Sequence, residues 1–224
     1  MKFAFRTFAL IFLILICYSC GEQGSADKKF GELRPGLGGK FFGGVFRINE
    51  SEYIKNLFPH SITDAYSYRV ASQIYEGLFR FDPATLEVVK GLIESYEVDE
   101  SGKIYTFKIK KGVYFHDNPC FPDATGRELK ASDIKYCFTQ LCTKSIYNQH
   151  FSIFEGVLKG ADAYYHATSG SNVPNFEVEG IRVIDDYTIR MELLKPYALF
   201  TVNLARPACF IYAPEAEKKY GIDM

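Results

Sequence analysis

The sequence has almost no net charge. Its 26 lysines and arginines nearly balance 27 aspartates and glutamates over 224 residues, which gives a formal net charge of −1. Nucleic-acid-binding domains usually carry a basic face, so charge gives no reason to expect a nucleic acid partner. The hydrophobic share of 47% and the charged share of 24% are ordinary for a globular protein. This composition excludes a disordered, fibrous or multi-spanning membrane chain.

The sequence also lacks the common catalytic and metal-binding motifs. It contains no H-E-x-x-H, G-x-S-x-G or G-x-x-x-x-G-K-[ST] pattern. His60, His150 and His166 are not spaced as metal ligands are. We therefore expect no enzymatic activity, no cofactor and no bound metal.

No apolar run is long enough to cross a bilayer comfortably. The longest near the N-terminus is Phe8–Ile16, whereas a membrane-spanning helix needs about 20 apolar residues. Lys2 and Arg6 precede this run, and a small residue and Cys20 follow it, an order typical of a secretory signal. The end of the segment resembles a bacterial lipobox, although Cys17 stands where an aliphatic residue is usual. Residues 1–19 are therefore predicted to be a lipoprotein signal peptide, with Cys20 as the lipid attachment site.

Other interpretations of this segment remain open. A plain signal peptide or a membrane anchor would also begin with a basic and then an apolar stretch. Cys17 and Cys20 have the C-x-x-C spacing of redox or metal sites, but they end a signal segment instead of adjoining a βαβ unit. The residues that follow are rich in glycine and charge, so 20–40 is predicted to be a flexible tether.

Alternation of apolar and polar residues predicts short strands. Two antiparallel hairpins give the clearest signal, and the second strand of each alternates strictly. The side chains predicted to face the core from these strands are Tyr105, Phe107, Ile109, Ile189, Met191 and Leu193. The predicted strands are Gly44–Ile48, Ser95–Val98, Tyr105–Lys110, Val113–Phe115, Gly180–Ile184 and Thr188–Leu193.

Apolar residues at helical spacing predict amphipathic helices between the hairpins. The best pattern is i, i+3, i+4, i+7, formed by Ile134, Cys137, Phe138 and Leu141. A second pattern predicts a buried face through Val70, Ala71, Ile74, Tyr75 and Leu78. The predicted helices are Ala65–Phe79, Ser132–Cys142, Leu199–Leu204 and Pro214–Tyr220. Strands paired in hairpins and mixed with helices indicate an α/β fold without pure βαβ alternation.

Several segments, taken in order, resemble the family 5 solute-binding proteins. This family comprises the oligopeptide-, dipeptide- and nickel-binding proteins of ABC importers. The similarity runs from about Gly44 to the end of the chain. The matching stretches are Gln73–Pro83, Gly91–Val98, Tyr105–Phe107, Lys111–Asp117, Ala131–Tyr136, the late hairpin with Pro196 after it, and Pro214–Ala216.

The resemblance implies a periplasmic-binding-protein-like (type II) fold with two lobes around a cleft. Family members are typically more than twice this long, and a small extra subdomain packs on the first lobe. By that comparison, 41–75 and 213–224 belong to the first lobe and 76–212 to the extra subdomain. The second lobe is then absent from this sequence, which is expected to be the N-terminal portion of such a protein. The pair His116-Asp117 matches the family's hairpin turn, so a structural role is expected for it.

The resemblance also implies ligand contacts from two stretches. The first is a loop that leads into a helix, where exposed backbone groups could pair with a peptide. Capping of that helix by Thr63 or Asp64 is the alternative, and the two roles are compatible. The second stretch approaches the cleft from the extra subdomain, and its alternative is an ordinary exposed loop; 206–209 lies near a third. The predicted ligand-binding residues are Thr63, Asp64, Ala65, Tyr66, Tyr147, His150 and Phe151.

Four cysteines lie outside the signal segment and allow three complete pairings. An exported protein can keep disulfides. Cys137 lies on the predicted buried helix face and is expected to be a free thiol. The favoured disulfide is Cys120 with Cys142; Cys209 is the fourth cysteine.

The function implied is capture of an oligopeptide or similar small solute outside the cytoplasm. The expected protein is a monomer, is lipid-anchored to a membrane of the cell envelope, and delivers its solute to ABC permease subunits. A sensory lipoprotein with the same fold is the alternative. An extracytoplasmic peptidase is a further one, and the missing nucleophile or metal motif counts against it.

Overall fold

The structure is a computed structural model that describes residues 33–39, 41–45, 47–169 and 174–223. The chain divides into two compact units between Glu50 and Ser51. The predicted signal peptide, Cys20 and most of the predicted tether lie outside the described residues.

In the first unit, the described residues form one short antiparallel hairpin. Strand β1 (Arg34–Pro35) pairs with β2 (Phe41–Phe42). The strand predicted at Gly44–Ile48 is not formed by the residues of that range that the structure describes, and Phe46 lies outside them. Pairing in this unit therefore begins a few residues earlier than the alternation of Val45 and Ile48 suggested.

The second unit contains the remaining helices and strands. Its helices are α1 (Ala65–Ile74), α2 (Ala131–Leu141), α3 (Ala161–Ala167), α4 (Phe200–Leu204) and α5 (Pro214–Tyr220). Its strands are β3 (Glu76–Gly77), β4 (Phe79–Phe81), β5 (Val88–Lys90), β6 (Ile93–Val98), β7 (Ile104–Ile109), β8 (Ile181–Asp185), β9 (Thr188–Glu192) and β10 (Phe210–Ile211).

Four strands form an antiparallel sheet in the order β6-β7-β9-β8. One face of this sheet is apolar because the sequence alternates with a period of two. On β7, Tyr105, Phe107 and Ile109 are buried while Lys108 is exposed. The apolar residues of β9, together with Leu193 just beyond its end, are buried as well. Both predicted hairpins and their inward faces are thus confirmed.

Helix α2 packs on the apolar face of this sheet, against β8 and β9. Its four predicted core residues, Ile134, Cys137, Phe138 and Leu141, have no exposed surface. Burying large apolar side chains of this kind stabilises a fold by about 1.5–3 kcal/mol each. The helix begins with half of a capping box, because the Asp133 carboxylate accepts a hydrogen bond from the Lys130 amide at 2.8 Å.

Helix α1 is shorter than predicted. It ends at Ile74 instead of Phe79, and the chain continues into β3, which pairs with β10. A Cβ on Gly77 would lie 3.1 Å from the Phe79 carbonyl oxygen and 3.3 Å from that of Cys209, so only glycine fits there easily. Pairing with a distant strand therefore overrides the helical spacing of Leu78. Ile74 is 43% exposed, and the buried residues of α1 are Ser67 and Ala71.

The other predicted elements have mixed outcomes. Helices α4 and α5 lie where the sequence placed them. The strand predicted at Val113–Phe115 is reduced to one isolated bridge between Tyr114 and Glu128. Helix α3 was not predicted, because its seven residues bury only Ala161 completely and leave little apolar pattern. Within the ranges described, no helix has both the length and the apolar character needed to cross a membrane.

Candidate functional site

The two predicted ligand-binding stretches lie next to each other in the folded chain. The loop that precedes α1 and the loop around residue 147 are joined by backbone contacts. The Gln149 amide donates to the His60 carbonyl at 2.9 Å. The Ser61 hydroxyl donates to the Tyr147 carbonyl at 2.5 Å. Residues more than 80 positions apart in the sequence therefore form one surface.

His150 adds a third link between these loops. Its Nε2 lies 2.7 Å from the carbonyl oxygen of Ile62. The residue is half-buried, and its ring links the two loops from beneath the surface. Of the predicted residues in this loop, Tyr147 is 43% exposed and is the one whose side chain a solute could reach most readily.

Phe151 departs from its predicted role. Its ring stacks on that of Tyr165 with centroids 3.8 Å apart and planes 7° from parallel. Only 8% of the residue is exposed. The side chain is therefore part of the core, where it anchors the loop that carries Tyr147.

Asp64 caps the N-terminus of α1. Its carboxylate accepts hydrogen bonds from the Ser67 amide and the Ser67 hydroxyl, both at 2.9 Å. These bonds, the amide first, lower the pKa of Asp64. The carboxylate is thus ionised near neutral pH and engaged in capping, which was the alternative role considered for it.

The other predicted residues of this loop remain close to solvent. Thr63 and Ala65 are exposed at the start of α1. The first amides of any helix lack an acceptor within the helix, so this end suits a carbonyl or a negative group. Tyr66 is half-buried, and its hydroxyl lies 2.9 Å from that of Ser51. A solute could therefore meet the backbone here while the Asp64 and Tyr66 side chains hold the loop in place.

A buried histidine supports the surface from below, and sequence reasoning did not identify it. His60 is 1% exposed and packs edge-on against the rings of Phe58 and Tyr212, at 5.1 and 5.5 Å. Burial, with a smaller contribution from His150, lowers the pKa of His60 to about 3. Its Nε2 has no hydrogen-bond partner in the part of the chain that is described. His60 is distinguished by the aromatic rings packed around it, and the sequence alone does not show that packing.

The stretch 206–209 forms a short 3₁₀ turn below the same surface. Ala208 and Cys209 are buried, whereas Arg206 is exposed. The turn is closed by a bond from the Cys209 amide to the Arg206 carbonyl at 2.9 Å. Its main contribution is to packing.

A cavity of about 570 Å³ lies between the end of α1, the loop after β7 and α5. His116 is in its wall, and Asp117 braces the neighbouring loop by accepting a hydrogen bond from the Gly126 amide at 2.9 Å. Asp117 thus has a structural contact, whereas the structural role expected for His116 stays a prediction. Across the described ranges, no cluster of three or more His, Cys, Asp or Glu side chains is arranged to hold a metal ion.

The predicted disulfide between Cys120 and Cys142 is not formed, and both residues are free thiols. Cys120 lies in the wall of the cavity, with its amide bonded to Asn118 at 2.9 Å. Cys142 is fully buried at the C-terminal end of α2. The sequence-based pairing failed because the loop that carries Cys120 approaches α5 instead. The buried free thiol expected at Cys137 is confirmed.

Comparison with known proteins assigns the chain to one family. Residues 87–223 match the family described as bacterial extracellular solute-binding proteins, family 5 middle. The chain belongs to this family. The dipeptide-binding protein of Escherichia coli K12 is 33% identical over 165 residues, which is 70% of this chain and 27% of that protein. Haemophilus influenzae heme-binding protein A is 26% identical over 210 residues, 93% of this chain and 36% of that protein.

The fold is similar to that of solved structures, one of which is an OppA. The structure of Listeria monocytogenes OppA bound to peptide has a TM-score of 0.65 at 20% identity and covers 77% of this chain. The match spans 31% of the OppA chain, and the chain likewise spans only 27% and 36% of the two curated relatives named above. The predicted α/β solute-binding fold is confirmed.

Proposed function

We propose that this protein is the substrate-binding component of an ABC importer. It captures a peptide or a similar small solute outside the cytoplasm and passes it to permease subunits in the membrane. The observation that carries the proposal is the meeting of two loops, Thr63–Tyr66 and Tyr147–His150, on one hydrogen-bonded surface. Relatives named for dipeptide and heme binding support this class of solute. No catalytic step is part of the proposed role.

The chemistry of the surface suits a peptide backbone. An extended peptide is recognised through main-chain hydrogen bonds, largely independently of its sequence. Thr63 and Ala65 are exposed at the N-terminus of α1, where helix amides can donate to a carbonyl or carboxylate. Tyr147 adds an aromatic side chain that is partly open to solvent. The rigid support from His60 and Phe151 keeps this surface preformed.

We further propose that the chain is anchored through a lipid on Cys20 and that its parts follow the family plan. In that plan 41–75 and 213–224 belong to the first lobe and 76–212 to the extra subdomain. Strands β3 and β10, which pair with each other, lie at the two ends of 76–212, next to its boundaries with the first lobe. A Cys20→Ser variant is expected to move from the membrane fraction to the soluble extracytoplasmic fraction.

Solute binding is tested on the purified full chain. Native mass spectrometry and thermal unfolding with sets of di- to pentapeptides should reveal a bound peptide and a raised Tm. Ala65→Asp places a negative charge where a solute carbonyl would bind, while an acidic residue in the first turn favours the helix itself. This variant should lose peptide binding and keep its Tm. The matched control Ala84→Asp, in an exposed turn, should bind normally.

Two results would contradict the proposal. One is the absence of any bound peptide and of any change in Tm across the whole peptide set. The other is equal peptide binding by Ala65→Asp and Ala84→Asp, which would place the solute elsewhere.

A further inference from the structure

One buried amide side chain fixes an otherwise exposed loop to the core. Of residues 144–149, only Asn148 is buried, with 9% of it exposed. Its Nδ2 donates hydrogen bonds to the carbonyl oxygens of Leu141 and Thr143, both at 2.8 Å. Its Oδ1 accepts one from the His150 amide at 3.2 Å. Both N–H groups and the carbonyl of this side chain are therefore engaged inside the protein.

The end of α2 needs donors of this kind. The last four carbonyl groups of a helix have no donor within the helix, and α2 ends at Leu141. Asn148 binds the Leu141 carbonyl and reaches that of Gln140 at a longer 3.4 Å. Carbonyl oxygens can only accept, so the nitrogen of the side-chain amide must face the helix. Asn148 thus caps α2 from a position seven residues further along the chain.

The neighbours of Asn148 bind the other loop of the candidate site. The Tyr147 carbonyl accepts a hydrogen bond from Ser61, and the Gln149 amide donates to the His60 carbonyl. Asn148 faces α2 instead, and α2 is packed on the four-stranded sheet. This segment is therefore held on one side by the loop before α1 and on the other side by the core.

We propose that Asn148 is a positioning residue for solute capture: it holds Tyr147 and the backbone beside it where the solute binds, without touching the solute. The inference rests on the proposed function, which places the solute at this surface. Ile146 and Tyr147 are 79% and 43% exposed, so their side chains contribute little packing that could hold the loop in place. Without the Asn148 donors, the Leu141 and Thr143 carbonyls lose these hydrogen bonds, which favours opening of the loop.

A positioning role has a kinetic signature. If the loop is ordered in only a fraction of the molecules, the apparent affinity for the solute falls by that fraction. Association then slows because fewer molecules are competent to bind, whereas the solute leaves the ordered state at its usual rate. Loss of a direct contact with the solute acts mainly on the dissociation rate instead.

The first test measures the loop itself by hydrogen–deuterium exchange and mass spectrometry on the full chain. Asn148→Asp keeps the shape and the Oδ1 acceptor, but it sets an oxygen against the Leu141 and Thr143 carbonyls and a negative charge at the C-terminal end of α2. The amides of 147–150 are all hydrogen-bonded in the wild-type protein. In the variant they should exchange about tenfold faster, because the loop opens more often.

Thr188→Val is the matched control. Thr188 is 4% exposed, and its hydroxyl accepts a hydrogen bond from Lys108 at 3.2 Å, so this variant also loses a buried side-chain contact. The residue lies near the start of α2, where the Ala131 amide donates to the Asp186 carbonyl at 2.8 Å. The loop is at the other end of the helix, so exchange at 147–150 should stay as in the wild-type protein.

The second test measures binding kinetics by biolayer interferometry, with a peptide that the wild-type protein binds. Asn148→Asp should associate about tenfold more slowly and dissociate at the wild-type rate. Thr188→Val should match the wild-type protein in both rates. Asn148→Ser removes the two amide donors with a smaller disturbance, so it takes the place of Asn148→Asp in both tests if that variant does not fold.

The inference is overturned by unchanged exchange at 147–150 or by an unchanged association rate. It is also overturned by a loss of affinity that comes from faster dissociation, which would mean that Asn148 touches the solute. The exchange test needs no solute. If the wild-type protein binds no peptide, the proposed function is contradicted, while faster or unchanged exchange still decides whether Asn148 holds the loop.

Discussion

The guanidinium of Arg127 forms two parallel hydrogen bonds with the carboxylate of Asp133, at 2.8 and 2.7 Å. The same guanidinium binds Glu215, the second residue of α5, at 2.6 and 2.9 Å. Asp133 is almost completely buried, whereas about a third of the Arg127 and Glu215 side chains is exposed. One cation therefore joins the start of α2 to the start of α5.

Replacing Arg127 by methionine is expected to destabilise the protein by about 2–4 kcal/mol, because it leaves the buried Asp133 carboxylate without its partner. Glu215→Gln removes only a partly exposed ion pair and should cost about 1 kcal/mol or less. Urea unfolding followed by circular dichroism measures both changes. Equal losses in the two variants would show that Asp133 does not depend on Arg127.

Acid should weaken the Glu215 contact selectively. The pKa of Glu215 is lowered, first by its hydrogen bond to Arg127, so it lies below the value in the unfolded chain. The stability it contributes is therefore complete above about pH 4.5 and is lost as the pH falls through the lowered pKa. Glu215→Gln should show a shallower fall in the free energy of unfolding below pH 4.5 than the wild-type protein. Parallel pH curves would contradict this.

His60 should make the protein lose stability in acid at a higher pH than Glu215 does. Its pKa is about 3 in the folded protein and about 6.5 in the unfolded chain, so the unfolded state binds the proton first. Stability is then complete above about pH 6.5 and falls as the pH decreases toward 3, by about 2 kcal/mol at pH 5. His60→Leu should flatten this part of the curve, as measured by urea unfolding between pH 7 and 4. A half-buried control, His150→Gln, should retain most of the slope.

Capping and solute binding at Asp64 can be separated by substitution. Asp64→Ala should destabilise the protein by about 1 kcal/mol, because the Ser67 amide loses its acceptor. Asp64→Asn keeps an acceptor and should cost a few tenths of a kcal/mol while removing the charge. If peptide affinity is unchanged in Asp64→Asn, the residue serves the helix alone. A large loss of affinity in that variant would show that the solute uses the charge.

Two glycines are predicted to resist substitution for different reasons. A Cβ on Gly126 would lie 1.9 Å from the carbonyl oxygen of Phe115, which is rigid backbone. Gly112 has open space around it but a φ of +72°. Gly112→Ala should cost about 1 kcal/mol through backbone strain, whereas Gly126→Ala should cost clearly more, about 3 kcal/mol. Thermal unfolding of both variants checks this order, and the reverse order would contradict it.

Much of the fold could be predicted from the sequence because its local patterns agree with its packing. The alternating sequence gives β7 one apolar face, and the helical spacing gives α2 one apolar face. Both faces are buried in the same core. Where a segment depends on a distant partner, the local pattern misleads. Leu78 continues the helical spacing of α1, yet it directly follows β3, whose partner β10 lies far along the chain.

The candidate site was predicted less completely for the same reason. Resemblance located the two loops, but whether a side chain faces solvent or core depends on neighbours far away in sequence. Phe151 is buried because Tyr165 lies parallel to it. His60 is buried because Tyr212 closes over it. Neither neighbour could be identified from periodicity or spacing.

The pairing of Gly77 with Phe210 has a consequence for how the chain is made. The two residues are about 130 positions apart, so at synthesis rates of roughly 5–20 residues per second β3 waits on the order of ten seconds for its partner. During that interval the end of α1 has no sheet to join. Residues 76–77 therefore cannot take their final place until residue 210 has been made, whereas a hairpin such as β6-β7 joins strands that are neighbours in the chain.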